Sequence, residues 1–341
     1  MLGDCLKNIF KGGKNMKSRK YYLLLISLLV LSLLLTSFSV YAQQIYKWKV
    51  PTGSATGTYY PAISGICMTL GLYTDDIYAT ASVGGGGASN ARKVGTGEAA
   101  FSLTTSNIAY YATRGEKMFT ESYPDIRAWG TLHKLYVDFL VKTDSNIKNF
   151  ADLKGKKVAI GEPGSGDAVA AEDVLKAAGL FDLVIKVQVG DPQNMDLLKL
   201  GQVDAIIHHT SAPNPNFYAF STTTPIRALD IPQDVIDQLV DLGYFAASVI
   251  KAGTYEGHDE DANVVVLPVL LIVNADIPEE IVYEMTQVTW THFDEVMEVA
   301  PYLKKDVDLK NILRGISIPL HPGAYQYFKE EGYEIPDRLK P

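Results

Sequence analysis

Cysteine is almost missing from this chain: Cys5 and Cys67 are the two in 341 residues. With Cys5 in a removable leader, Cys67 has no internal partner, so export would bring no disulfide framework with it. Cys67 stands in an apolar helical stretch, which predicts a small core residue rather than a nucleophile. Positive charge is also short. There are 31 Lys and Arg against 39 Asp and Glu, a net charge of −8. Lys7, Lys11, Lys14, Lys17, Arg19 and Lys20 crowd the leader, opposed by Asp4 alone, so the body without it carries −13. So acidic a body argues against nucleic acid as a partner and against a basic membrane-binding patch.

Signatures of catalysis and of metal binding are thin too. No G-x-S-x-G elbow surrounds Ser54, Ser165 or Ser211. Gly84 to Gly87 suggests a nucleotide loop, but Ser89 or Asn90 stands where a dinucleotide fingerprint needs its last glycine, and no G-K-[ST] follows. That stretch reads instead as a strand-to-helix loop lining a cleft. Of six histidines, His208 and His209 are adjacent, and neighbours on a strand point to opposite faces, which disfavours a shared metal. His209 remains free to face a cleft. Asp259, Asp261 and Asn263 imitate the start of an EF-hand, yet Val264 replaces its glycine and Leu270 its bidentate glutamate. The expectation is no enzyme, no cofactor and no metal.

The leader itself is informative. After the basic residues comes an uncharged run, Tyr21 to Val40, and Val40-Tyr41-Ala42 places small residues at −3 and −1 of a cleavage site. Residues 1–42 therefore read as a Sec-type signal peptide, with export to the periplasm and no membrane insertion afterwards. An uncleaved anchor is the alternative, because the run is about as long as a spanning helix of ~20 residues. No cysteine ends the run, so a lipoprotein is not expected. Met16 is a second possible start.

The body alternates strands and helices: strands at 45–50, 77–83, 99–103, 156–160, 183–189, 203–208, 226–230 and 264–273. Helices are expected at 58–72, 88–94, 104–111, 167–178, 194–200 and, as one long amphipathic piece, 278–299. The pattern of Gly97-Glu98-Ala99-Ala100 before a strand returns at Gly201-Gln202-Val203-Asp204, and a glycine-rich turn enters a helix twice. Such repetition predicts an α/β fold of two similar lobes, each a mostly parallel sheet flanked by helices with a ligand cleft between them. Lobe 1 would combine 43–138 with 264–341, lobe 2 would be 139–263, and the crossings near 137–142 and 263–268 would be hinges.

The turns carry the functional reading. Helix N-termini leave N–H groups unpaired and bear partial positive charge, so two of them facing each other hold an anion without Lys or Arg. Thr56-Gly57-Thr58-Tyr59-Tyr60 would form one wall and Ser165-Gly166-Asp167 the other, with Thr105-Ser106-Asn107 a third helix start. Thr210-Ser211-Ala212-Pro213-Asn214 follows a strand, where α/β folds place ligands. Ordinary capped turns remain the alternative for each one.

Taken in order, several segments match one family. They are Thr52-Gly53 to Pro61, Gly97-Glu98-Ala99, Leu153 to Val158, Gly161 to Gly166, Gly201 to Ala205, Pro213-Asn214-Pro215, Ala252 to Tyr255 and Ile318 to Ala324. The chain resembles the TAXI-type solute-binding subunits of TRAP transporters across nearly the whole body. The resemblance implies a type II periplasmic-binding-protein fold, a ligand such as glutamate, 2-oxoglutarate or a related dicarboxylate, and a TRAP membrane permease as partner. It places ligand contacts at Gly57, Thr58, Tyr59, Tyr60, Ser106, Asn107, Ser165, Gly166, Thr210, Ala212 and Asn214. Where family members often carry Asp, Asn107 removes a charge, and Asp167 adds one. An ABC-type receptor or sensor subunit of the same fold, or a secreted α/β hydrolase, are the competing readings.

Overall fold

The computed structural model describes residues 44–341 apart from 56, 191, 192 and 308, together with 24 and 27 in the leader. The expected signal peptide and its cleavage site thus lie outside the described residues but for those two positions, as does Thr56. The chain divides into units 1–45 and 46–341. In the first, Leu24 is exposed and its carbonyl accepts from the Ser27 hydroxyl at 2.9 Å. The second holds the fold described below. Among the described residues, no helix is long and apolar enough to cross a membrane.

The second unit is a mixed α/β structure with two lobes. In the first half of the chain, β1 (Tyr46–Pro51) pairs in parallel with β2 (Ile77–Ser82), and α1 (Tyr59–Tyr73) connects them. Next come α2 (Gly87–Gly95), β3 (Phe101–Thr105) and α3 (Ser106–Arg114). Every residue of β3 is buried, as expected of a strand covered on both faces. A 17-residue strand, β4 (Ile126–Lys142), then crosses to the other lobe. There β5 (Lys157–Ala159), α4 (Gly166–Ala177), β6 (Ile185–Val187), α5 (Gln193–Lys199) and β7 (Ala205–Thr210) repeat the scheme, with β5 parallel to both β6 and β7. After them follow α6 (Pro215–Ser221), β8 (Ile226–Ala228), α7 (Gln233–Asp241) and β9 (Ala246–Ile250). The 13-residue β10 (Ala262–Asn274) crosses back, and α8 (Glu279–Thr291), α9 (Phe293–Val299), α10 (Leu303–Asp306) and α11 (Pro322–Glu330) close the chain.

Parallel pairing holds within the lobes, as expected. The two crossing strands differ: β4 and β10 run antiparallel to each other, β10 also antiparallel to β3 and β9, and β4 to β7 and β8. A chain that crosses and returns must send its two passes in opposite directions. β4, α6, α7 and β9 are not among the elements expected from the sequence, which gives 137–142 only as a hinge crossing. The expected helix over 278–299 is broken. At His292 the backbone leaves the helical region (φ −110°, ψ 33°), ending α8 and beginning α9. The break aims α9 at α1, where Gly65 presses so close to Val296 that an added Cβ would stand 2.9 Å from the Val296 carbonyl oxygen. The Tyr73 ring stacks on His292 at 3.6 Å. Cys67 is buried in α1 as a core residue, and burial pushes its thiol up to about 12.

Candidate functional site

Strand register sets the ends of β3 and β7 on either side of the two crossing strands. Thr105, the last residue of β3, lies opposite Val269 of β10. Thr210, the last of β7, lies opposite Tyr136 of β4, which in turn faces Val266 of β10. The carboxyl ends of β3 and β7 therefore approach from opposite directions, offset by three positions along the strand axis, about 10 Å at ~3.3 Å per residue, with β10 and β4 lying between them, about 14 Å across at ~4.8 Å per strand. Ligands in open α/β sheets bind at such carboxyl ends.

At the start of α3, the Asn107 Oδ1 accepts from the Thr105 hydroxyl at 2.7 Å and from the Ile108 N–H at 2.8 Å. Its Nδ2 is buried and has no hydrogen-bond partner. The Ser106 hydroxyl donates to the Tyr244 carbonyl of the opposite lobe at 2.6 Å, and the Ser106 carbonyl accepts from Ser317. Ser106 thus ties the lobes together.

The α4 start is shaped by Gly161, whose φ of +92° and contact with Asp167 admit no side chain. The Ser165 hydroxyl accepts from the Ala168 N–H at 3.1 Å as the N-cap. Gly166 lies under the His209 ring, and Asp167 holds His209 Nδ1 at 2.9 Å, leaving the buried Nε2 without a partner. His208 points the other way, to Asp138 at 2.6 Å and to the Tyr255 hydroxyl at 3.0 Å, so the two neighbours do serve opposite faces. Tyr255 also accepts from the Asn214 N–H at 3.1 Å. Asn214 caps α6 and donates to the Thr210 hydroxyl at 3.2 Å. Ala212, half-buried, precedes Pro213 through a cis bond.

The α1 start is organised differently. The Gly57 N–H is spent on the Ser54 carbonyl at 3.0 Å. Thr58 caps the helix by backbone alone, and its carbonyl accepts from the Tyr302 hydroxyl at 2.6 Å. Tyr59 and Tyr302 flank His133 of β4 edge-on, at 6.2 and 5.4 Å. Burial raises the Tyr59 phenol and lowers His133 to about 3, so His133 is neutral at pH 7; both its ring nitrogens lack partners. Tyr60 is half-buried. The Gly84–Gly87 loop packs on Thr52 and Gly53 at the end of β1, with Gly84 and Gly86 donating to their carbonyls.

A cavity of about 140 Å³ opens over the middle of the crossing strands. Its walls are 131–134 of β4, 246–248 of β9, Val266 and Pro268 of β10, and Ile312 and Arg314. None of the site residues expected from the sequence lines it. Lys134 and Arg314 are absent from that expectation; for Lys134 the reason is that no strand is expected over 126–142. Tyr111, Asp173 and Tyr244, which meet between the lobes, are absent from it too.

Two α/β lobes joined by two crossing strands are the fold also found in periplasmic solute-binding proteins. The chain belongs to the NMT1-like family, whose sequence signature matches residues 50–332. Its fold is similar to that of a TctC solute binding protein from Polaromonas, at 15% identity and a TM-score of 0.51, over 77% of this chain and 89% of that one. Weaker likenesses include the periplasmic aliphatic sulphonate binding protein SsuA from Escherichia coli (14% identity, 82% of this chain, 78% of that one, TM-score 0.46). Lactococcal OpuAC, complexed with glycine betaine, is another (15% identity, 84% and 96%, TM-score 0.43).

Proposed function

We propose that this chain is an extracytoplasmic solute-binding protein that closes on a small carboxylate and delivers it to a membrane transporter. Glutamate, 2-oxoglutarate or a related dicarboxylate is the ligand class, and a TRAP-type permease is the partner; an ABC-type receptor of the same fold is the alternative. Export on residues 1–42 would leave the body in the periplasm. The observation that supports this reading is the register in which β3 and β7 run toward each other from opposite directions and end on either side of the crossing strands β10 and β4. In this reading 43–138 with 264–341 moves as one lobe and 139–263 as the other, bending at 137–142 and 263–268. Tyr59 and Tyr60, the N–H groups of Thr58 and Gly166, and the side chains of Ser165, Asn107 and Thr210 contact the ligand, with Gly57, Ser106, Ala212 and Asn214 shaping the turns. The expected result of a thermal-shift screen over amino acids, dicarboxylates and oxoacids is at least one that raises the melting temperature in a saturable way. A flat response to all three classes refutes the proposal.

A further inference from the structure

We infer that the cavity over the crossing strands is an anion-binding site whose guest is held by Lys134 and Arg314. The strand geometry puts Lys134 there. Val266 and Pro268 are two apart on β10, Ala246 and Ser248 two apart on β9, and all four line the cavity, so they share one face of the sheet. Lys134 lies directly opposite Pro268 and faces the same way. Arg314 arrives from the other side. The Ile312 carbonyl accepts from the Thr131 N–H at 3.0 Å, the Arg314 carbonyl accepts from the Thr131 hydroxyl at 3.4 Å, and Gly315 fits against Pro268 where a Cβ would collide.

Among the described residues, neither Lys134 nor Arg314 has a carboxylate within 4.0 Å. Two cations without an ion-pair partner, Lys134 with its ammonium 5.2 Å from the Tyr136 ring centroid and Arg314 exposed, are a local excess of positive charge in a body of charge −13. His133, the neighbour of Lys134 on β4, turns its ring to the opposite face, where Tyr59 and Tyr302 enclose it, so the charge on a guest falls to Lys134 and Arg314. In size, a cavity of about 150 Å³ takes a molecule as large as benzene. The guest class is therefore a small dianion, a short dicarboxylate or a tetrahedral oxyanion, and not an oligosaccharide or a peptide. Because β9 and the 312–314 segment come from different sides of the junction, such a guest would bridge the hinge. Basic side chains take the charge here, whereas amide dipoles take it at the helix starts, so either site can exist without the other.

The test is titration of the purified protein with inorganic phosphate, succinate and glutamate, followed by calorimetry. At least one of the three is expected to bind saturably. Lys134→Ala and Arg314→Ala should each weaken it about ten-fold or more, as loss of a charge-assisted contact does. Lys134→Gln and Arg314→Gln keep the aliphatic bulk and should lose as much affinity, and far-ultraviolet dichroism verifies that each variant is folded. Charge reversal by Arg314→Glu should abolish binding. If a probe binds all the folded variants as tightly as the native chain, its site is elsewhere and the inference is overturned, while the transport proposal survives. If none of the three probes binds, the inference is overturned as well.

Discussion

His133 shows how one residue sets a pH limit. Its side chain is walled in by Tyr59 and Tyr302, and burial holds its pKa at about 3 against an ordinary 6.5. The folded state thus resists a proton that the unfolded chain accepts. The sign follows: the stability from keeping His133 neutral is fully present above pH 6.5 and is lost as pH falls toward 3. A tenfold change in proton affinity is worth about 1.4 kcal/mol, so the whole effect is on the order of a few kcal/mol. His133→Gln should therefore flatten the acid limb of the stability profile, measured as melting temperature from about pH 7 to about pH 4. A limb as steep as that of the native chain would show that other groups dominate. Individual residues are unevenly legible in the sequence. The alternation rule separates His208 from His209, and helix periodicity places Cys67 in the core. Ser106 and Asn107 read as a helix start from the residues themselves, and as ligand contacts through the family resemblance. The structure shows their polar atoms partly engaged already, Ser106 with the opposite lobe and Asn107 with its own turn. No local pattern announces a bond to Tyr244, 138 positions away.

At the scale of elements, glycine marks where backbones meet. Gly65 lies in the middle of α1, where glycine costs about 1 kcal/mol of helix propensity relative to alanine. That cost is offset by the approach of α9, which leaves no room for a methyl group. Gly65→Ala should gain propensity and lose more to overpacking, a net destabilisation of roughly 1–2 kcal/mol. Urea unfolding measures it, and a stabilised variant would mean that α9 can slide away. The same contact explains why the expected helix over 278–299 is two. Its apolar spacing runs on past His292, and the sequence pattern cannot register a turn imposed from outside by α1. β4 is harder still to read. Its 17 residues include Gly130, His133 and Lys134, and bulges against β10 break the alternation that would have identified a strand. The short parallel strands, each followed by a helix, are readable because pattern and connection agree.

For the molecule as a whole, the proposed closure would involve a polar contact between the expected lobes, away from the expected hinges. The Tyr111 hydroxyl of α3 donates to Asp173 of α4 at 2.8 Å and lies 2.7 Å from the Tyr244 hydroxyl, while Lys117 approaches Asp173 at 3.4 Å and Glu172 at 2.7 Å. Burial raises the Asp173 carboxyl above the ordinary aspartate value, against the pull of the Tyr111 hydrogen bond and the Lys117 charge. Where the meeting of the lobes supplies that burial, the contact favours their meeting most when Asp173 is protonated, and the contribution fades as pH climbs through its raised pKa. The closed form should accordingly be most populated below an ordinary aspartate pKa of about 4 and decline as pH rises above it. Small-angle scattering should record a radius of gyration that grows over this range in the unliganded protein. Asp173→Asn cannot titrate yet keeps an oxygen for Tyr111, so its radius should stay constant with pH. Tyr111→Phe removes the donor and should open the molecule at every pH, raising the dissociation constant of any ligand held between the lobes. Identical scattering from all three proteins across the range would mean that the crossing strands alone fix the lobe angle and that this contact only follows it.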